Sequence, residues 1–362
     1  MASHPRFDAW PSALLDMMAG HRVTAVIYVA ACLGIPDELV AGPRTSADLA
    51  RRTGAHEPSL RRLLRALVTL GVCTESQQHA FELTALGRYL PGSARQSLKP
   101  WVLLEGGFLR HSWGSLIDSI RTGKTEPELA GRGVEKGFEH LAELGNAPPF
   151  NEAMVALTRF VAPAVAGAYD FTGIGKLIDV GGGHGELLSV ILTAYPSLRG
   201  AIFDLPLCGE GARRHLTEAG VGERCEFLAG NFFESVPSGA DALILKSVIH
   251  DWDDERSVKI LANCRRALGP LGKLLLVERI MPDVSESSAE HRASVLSDLN
   301  MLRGLGGSER TEHEFRELLT KSGFMMTRVV AAGPMKVIEA TGRTKPGFLS
   351  VGIESCDESV GR

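Results

Sequence analysis

The sequence predicts an α/β fold, a doubly wound and mostly parallel sheet preceded by a helix-rich module of winged-helix type. Three observations carry this. From Thr172 onward short apolar strand runs alternate with helical segments, a glycine-rich turn joins the first of those strands to a helix, and the first hundred residues follow the order helix, helix, helix, hairpin. A chain of 362 residues suits two domains at roughly 150 residues each. Its 44% apolar content is enough for each to bury a core.

Apolar residues recur at helical spacing from Ser12 and thicken into the run Val23–Ile35, which Gly34-Ile-Pro36 stops. That run is shorter than the roughly 20 residues that span a bilayer, so no membrane-crossing helix is expected. The N-terminus has no basic stretch feeding directly into an apolar one, so export is not expected either. Thr45-Ser-Ala-Asp48 reads as a capping box in which hydroxyl and carboxylate reciprocally satisfy free N–H groups. A third helix opens with Pro58 in its first turn, carries Leu60, Leu63, Leu64, Leu67 and Val68 on one face, and ends at Gly71. Val72-Cys-Thr74 and Ala80-Phe-Glu-Leu-Thr84 read as the strands of the hairpin.

Arg61, Arg62 and Arg65 on the third helix could face phosphates, or form the solvated face of a module that pairs subunits. A formal net charge of −4 gives no field to hold a polyanion, which favours the second and argues against nucleic acid. Residues 101–170 read as a helical connector, with Gly131-Arg-Gly133 and Gly137 at turns, and the polar stretch 341–362 as a flexible tail. Six scattered cysteines without a CxxC pair read as reduced thiols of a cytoplasmic protein.

In the second part Lys176–Val180, Arg199–Asp204, Cys225–Leu228, Ala240–Lys246 and Lys273–Glu278 are expected strands, and Glu186–Tyr195 and Asp253–Leu268 helices. Thr311-Glu-His-Glu314 is a second capping box, opening a helix that ends at Gly323, and strands Phe324–Ala331 and Met335–Ala340 follow.

The turn Asp179-Val-Gly181-Gly182-Gly183-His184-Gly185 can bring backbone N–H groups close to a ligand. It lacks the dinucleotide fingerprint, because Glu186 stands where the last glycine of G-x-G-x-x-G would be, and no phosphate-binding P-loop occurs. An acid at the strand end with alternate glycines suits a cationic or zwitterionic ligand such as S-adenosylmethionine; a tight packing turn is the bland alternative. Asp204 ends the second strand nineteen residues beyond Gly185, where a carboxylate can accept both hydroxyls of a ribose. Gly230-Asn231-Phe232-Phe233 ends the third strand with an amide beside a ring, fit for an adenine edge and face.

Lys246-Ser-Val-Ile-His250-Asp251-Trp252-Asp253-Asp254-Glu255 closes the fourth strand. The histidine could be structural and the acidic run a helix cap. Yet Glu278, ending the next strand, and Glu309, just before a helix, are both candidates to orient an imidazole through Nδ1, and a carboxylate-held imidazole is a general base for a hydroxyl. Hard oxygens at Asp251, Asp253, Asp254 and Glu255 would suit Mg²⁺, but neighbours at a strand end point apart and no second acidic cluster pairs with them; no metal is expected.

Together these segments, with Phe203-Asp-Leu-Pro206, Val277-Glu-Arg-Ile-Met-Pro282, Gly306-Gly-Ser-Glu-Arg-Thr311, Pro43–Ala50 and Leu60–Leu67, resemble the S-adenosylmethionine-dependent small-molecule O-methyltransferases. That family includes plant caffeate and flavonoid enzymes and bacterial enzymes that tailor antibiotics. The resemblance runs from about residue 12 to 340. It implies a Rossmann-like class I methyltransferase domain at 171–340 with an antiparallel last strand, and a winged-helix dimerisation domain at 1–100. It also implies a homodimer and a pocket for a small hydroxylated aromatic substrate, closed in part by the connector and by the partner subunit.

Carried onto this chain, the resemblance makes His250 the base, flanked by Glu278 and Glu309, with Asp251 placed toward the acceptor. Asp179, Gly181, Gly182 and Gly183 would hold the methionine end, Asp204 the ribose, and Asn231 and Phe232 the adenine. Lys246 would hold the cofactor edge, and Leu205, Ser247 and Trp252 would complete the contacts. Asn231 departs from the family, which usually has Asp there; its amide oxygen is expected to accept from the adenine amino group in the carboxylate's stead. Trp113, Phe150, Met154 and Met301 could line the substrate pocket or be plain core.

The expected reaction is in-line attack of a hydroxyl oxygen, phenolic by preference, on the sulfonium methyl, leaving S-adenosylhomocysteine. A phenol near pKa 10 against an imidazole near 6.5 needs only partial proton removal in the transition state. Two other readings stay open: a relative that binds the cofactor but has drifted to decarboxylation or hydroxylation, and a ligand-sensing winged-helix regulator.

Overall fold

The computed structural model describes residues 9–134 and 147–343. Gly137 of the expected connector, Cys356 and residues 344–362 of the expected tail lie outside the described residues.

The N-terminal part is α1 (Ala9–Met18), α2 (Gly20–Cys32), α3 (Ile35–Glu38), β1 (Arg44–Thr45), α4 (Ser46–Thr53), α5 (Glu57–Thr69), β2 (Cys73–Glu75) and β3 (Ala80–Leu83). The expected hairpin is present, and β1 joins it to make a three-stranded sheet in the order β1-β3-β2. Ile35, Leu49, Leu60, Leu64, Leu67 and Phe81 form its core, which accounts for the leucine stripe on α5. Thr45 Oγ1 accepts from Asp48 N at 3.2 Å, so half of the first capping box forms. The other half does not, because the Asp48 carboxylate turns to Arg44, Arg51 and Arg52.

α1 feeds almost directly into α2, so the helical stretch here is longer than the run from Val23 alone. Pro11–Cys32 is, by length and composition only, long and apolar enough to cross a membrane, and 6% of its most apolar 18 residues is buried. Leu14, Leu15, Met17 and Met18 stand exposed on it.

The connector is built from α6 (Lys99–Leu104), a π-helical turn (Glu105–Leu109), α7 (Arg110–Ser112), α8 (Leu116–Thr122), α9 (Glu126–Leu129) and the long α10 (Ala147–Ala168). Gly106 lets the π turn lie on Tyr28 of α2, so the connector is seated on the N-terminal part.

Beyond it come β4 (Lys176–Val180), α11 (Glu186–Ala194), β5 (Arg199–Asp204), α12 (Gly209–Glu218), β6 (Cys225–Ala229), β7 (Ala242–Lys246), α13 (Asp254–Ala267) and β8 (Lys273–Glu278). The chain closes with β9 (Ile280–Met281), α14 (Ala289–Gly304), β10 (Arg310–Thr311), α15 (Glu312–Lys321), β11 (Phe324–Ala332) and β12 (Met335–Gly342). Seven strands form one sheet in the order β11-β12-β8-β7-β4-β5-β6. The neighbours from β8 to β6 are parallel, and β12 runs antiparallel to β8 with Lys336 opposite Glu278.

The strands are apolar without alternation because helices cover both faces. Leu177, Ile202, Ile244, Leu275 and Val277 pack toward α10 and α11, while Ile178, Phe203, Leu243, Leu245, Leu274 and Leu276 pack toward α13 and α15. The chain leaves β4 for β5 and β6, then crosses back to β7 on the other side of β4. Strand order therefore reverses at β4 and β7, and a crevice opens at their carboxyl ends, where such sheets bind ligands.

The second capping box forms in full at the start of α15, with Thr311 Oγ1 accepting from Glu314 N and Glu314 Oε2 from Thr311 N. Gly185, the residue before α11, has φ +81°, and a Cβ there would run into Ile202. Gly185→Ala is expected to lower the unfolding free energy by about 1–3 kcal/mol in urea denaturation. Gly183→Ala, whose Cβ meets open space, should cost only about 1 kcal/mol.

Candidate active site

The glycine turn after β4 is stitched to the end of β5. Gly183 N donates to Asp204 Oδ2 at 2.7 Å, while Leu205 N at 2.6 Å and Cys208 Sγ at 3.6 Å both donate to Asp204 Oδ1, so Oδ2 keeps a further lone pair. A Cβ at Gly181 would come within 2.8 Å of Val248, and one at Gly182 within 2.7 Å of the Asp179 carboxyl, so the backbone is threaded between side chains that only glycine can clear. Asp179 is buried beneath the turn. Burial pushes its pKa up to about 7, with Lys246 opposing. Burial lowers Lys246 in turn, against the pull of Glu278, Asp179 and Asp251.

Lys246 ends β7 and donates to Ser247 Oγ at 3.2 Å. Ser247 has φ +52°, a left-handed conformation that a non-glycine residue adopts at a cost, and such strain gathers where a side chain must be aimed. At the end of β6, Asn231 Oδ1 accepts from Phe233 N at 2.9 Å. Phe232 is fixed by its carbonyl, which accepts from Asn263 Nδ2 at 2.6 Å, and by edge contacts to Phe233 and Trp252 at 5.0 and 6.2 Å. Trp252, 2% exposed, packs edge-on against both rings, 4.8 Å from Phe233 and 6.2 Å from Phe232.

His250 lies on a single 3₁₀ turn, Ile249–Asp251, just past β7. Its Nδ1 is 3.0 Å from Glu309 Oε1, while Glu278 Oε2 stays 3.9 Å away. The two glutamates therefore divide the work that the sequence assigns to both. Glu309 orients the ring; Glu278 holds the turn, its Oε1 accepting from Val248 N at 3.1 Å and Ile249 N at 3.0 Å. With a carboxylate on Nδ1 taking that proton, Nε2 is the basic nitrogen, 3.7 Å from Asp251 Oδ1. The glutamates meet because β9, just past Glu278, pairs with β10, just past Glu309.

Burial by itself would pull His250 down, but Glu278, Asp251 and Glu309 outweigh it and raise its pKa to about 9. Burial raises Glu278 to about 7 and Asp251 to about 6, with the imidazole opposing both. Glu309 is held below the usual carboxylate range despite its burial, because His250 and Ser297 donate to it. Asp253 caps α13 and Asp254 pairs with Arg310, so the acidic run points apart. Among the described residues no three His, Cys, Asp or Glu side chains are grouped to hold a metal ion.

Of the expected pocket residues, Trp113 lies under the Arg303 guanidinium, 4.8 Å from its ring, which ties the connector to α14, and Met301 is half-buried on that helix. Phe150 and Met154 are half-buried on α10, which reaches the connector through α6. Sequence reasoning missed Ser297, which donates to Glu309 Oε1 at 2.6 Å, and Asp298, whose Oδ1 accepts from Glu309 N at 2.9 Å. Both stand on α14, a helix left unassigned although Ser288 caps it through His291 N at 3.1 Å.

A glycine turn, a carboxylate at the next strand end and a glutamate-held imidazole thus line one crevice. The family model for an O-methyltransferase domain matches residues 113–325, and that for an O-methyltransferase dimerisation domain matches residues 15–93. The chain belongs to the O-methyltransferase family. It is 40% identical over 347 residues to the phenazine O-methyltransferase PhzM of Lysobacter antibioticus, covering 94% of this chain and 99% of that protein. The LaPhzM crystal structure superposes with a TM-score of 0.87, covering 92% of this chain and 99% of that one.

The neocarzinostatin O-methyltransferase NcsB1, solved with S-adenosylmethionine and 2-hydroxy-5-methyl naphthoic acid, is 32% identical with a TM-score of 0.73, covering 89% and 96% of the two chains. Aclacinomycin 10-hydroxylase RdmB of Streptomyces purpurascens is 36% identical over 321 residues, covering 87% of this chain and 84% of that protein.

The geometry at His250 has a direct readout. Its imidazole is expected to titrate near pH 9 by NMR, above the ordinary 6.5. Glu309→Gln, which removes the hydrogen-bonded carboxylate, should lower that midpoint by at least about one unit.

Proposed function

We propose that this O-methyltransferase methylates a hydroxyl, phenolic by preference, on a small aromatic natural product, with S-adenosylmethionine as donor and His250 as general base. The observation that carries this reading is the 3.0 Å contact between Nδ1 and Glu309, which leaves Nε2 as the proton acceptor beside the crevice. The residues at the sheet edge fit the donor. The turn is clear of side chains where a Cβ would collide, and Asp204 Oδ2 keeps a lone pair for a ribose hydroxyl. Gly181, Gly182 and Gly183 over Asp179 would hold the amino-acid end, Asp204 and Leu205 the ribose, and Asn231 and Phe232 the adenine, with Trp252 behind. Lys246 would hold the cofactor edge, with Ser247 beside it.

When bound, the donor supplies an electrophilic methyl on a cationic sulfonium. His250 Nε2 receives the proton of the acceptor hydroxyl, Glu309 holds the ring in the tautomer that can do so, and Asp251 borders the same nitrogen. Such base catalysis is worth about 10²- to 10⁴-fold. In the free protein the raised pKa keeps His250 protonated at neutral pH. A cationic ligand nearby opposes that charge and draws the pKa down.

The exposed Leu14, Leu15, Met17 and Met18 on α1 support a homodimer in which residues 1–100 pair subunits and 101–170 help enclose the acceptor. The RdmB relative favours one second reading, hydroxylation with the donor retained. The intact pairing of His250 with Glu309 weighs toward methyl transfer.

His250→Ala should abolish methyl transfer to a panel of hydroxylated aromatics, followed by product mass, while calorimetric binding of S-adenosylhomocysteine is kept. Unchanged turnover would end the base assignment. In the wild type with the donor saturating, kcat/KM for the acceptor should rise with pH to a midpoint below the value of about 9 of the free protein, as the imidazole loses its proton.

Asn231 Oδ1 accepts from Phe233 N and keeps a second lone pair for the adenine amino group, but as a neutral amide it makes a weaker bond there than a carboxylate would. Asn231→Asp should therefore tighten S-adenosylhomocysteine binding by about tenfold in calorimetry.

A further inference from the structure

We propose that Arg310 is a positioning residue that sets where the His250 imidazole stands, by gripping the backbone on both sides of it. Arg310 is 2% exposed, and its guanidinium is spent on the turn that carries His250. Nη1 donates to Ile249 O at 3.0 Å and Nη2 to Trp252 O at 2.8 Å, the carbonyls just before and just after the His250-Asp251 pair. The remaining donors reach Asp254 Oδ1 at 3.0 and 3.1 Å, Ser257 Oγ at 3.4 Å and Ser308 O at 3.4 Å.

Arg310 follows Glu309 directly in the chain, and that adjacency closes a small ring. From the imidazole the ring passes through Nδ1 to Glu309, across one peptide to Arg310, and back through the guanidinium to the carbonyls flanking His250. Neither the ring nor the turn can shift without disturbing the other. From the opposite side Glu278 takes the N–H groups of Val248 and Ile249, so the donors of the turn are held from β8 and its carbonyls from β10. Gly307 completes the support: it lets the loop before β10 lie flat on the turn, and a Cβ there would run into His250 O and the Asp251 carbonyl carbon. A lysine at 310 could not span both carbonyls, because its ammonium is a compact point charge where the guanidinium is a rigid fork.

The inference rests on the reading of His250 as base, and its test keeps the two apart. Arg310→Met, Arg310→Lys and Gly307→Ala are compared with wild type for S-adenosylhomocysteine binding by calorimetry, acceptor KM, kcat and the pH profile of kcat. The charged groups facing His250 are Glu278 on β8, Asp251 on its own turn and Glu309 on the loop, and all three are retained in every variant.

Arg310→Met is expected to lose about 100-fold in kcat while the binding constant and KM stay within about threefold. Its His250 limb should move to lower pH as the hold of Glu309 loosens. Arg310→Lys should recover only part of the loss, and millimolar guanidinium ion should raise the kcat of Arg310→Ala. If Arg310→Met does not fold, Gly307→Ala, which keeps the guanidinium and displaces the turn, should give the same split between kcat and KM. A folded Arg310→Met with kcat within about threefold of wild type overturns the proposal. So does a kcat loss matched by lost cofactor binding with an unmoved pH limb, which marks a merely structural residue. Failure of the base reading would appear separately, as turnover surviving in His250→Ala.

Discussion

The constraint on which the rest of the site depends is the burial of two carboxylates. The side chains of Glu278 and Glu309 are shut off from solvent, and a charge moved out of water must find partners or lose its ionisation. Each solves this differently. Glu309 is surrounded by donors, the His250 ring and the Ser297 hydroxyl, and stays a carboxylate. Glu278 takes two backbone N–H groups and has its pKa raised. The raised imidazole is the counterpart of the same arrangement, since it stands between three acids that favour its cationic form.

The sheet provides the frame. Reversal of strand order at β4 and β7 leaves the carboxyl ends of these two strands free of a crossover, so the glycine turn and the histidine turn emerge side by side. The glycine turn, Asp204, Asn231 and Lys246 stand at or just past the ends of β4, β5, β6 and β7, on rigid strands rather than on long loops. The strained Ser247 marks the point where β7 must bend away to present His250.

Much of this was legible in the sequence, for a physical reason. β4, β5 and β8 were bounded correctly because fully buried strands read as unbroken apolar runs, and the second capping box announced α15 through side chains that bond locally. What stayed hidden depended on tertiary contacts. The first capping box failed by half because three arginines compete for Asp48. The division between Glu278 and Glu309 could not be read from spacing, since it turns on a difference of 0.9 Å between 3.9 and 3.0 Å at one nitrogen. Arg310 lay inside a quoted motif without a stated task, because its partners are main-chain carbonyls, which carry no sequence signal. Helix α14 was missed with Ser297 and Asp298 on it, having no broad apolar stripe to announce it.

The two-residue ladder between β9 and β10 is the smallest sheet among the described residues, yet it joins the two glutamates to one imidazole. His250 and Glu309 are 59 positions apart in the chain, and the pair between them closes a loop that contains α13, β8, β9 and α14. The glycine turn is held separately, by Asp204 and against Val248, so the ladder bears on the orientation of the imidazole and not on the turn.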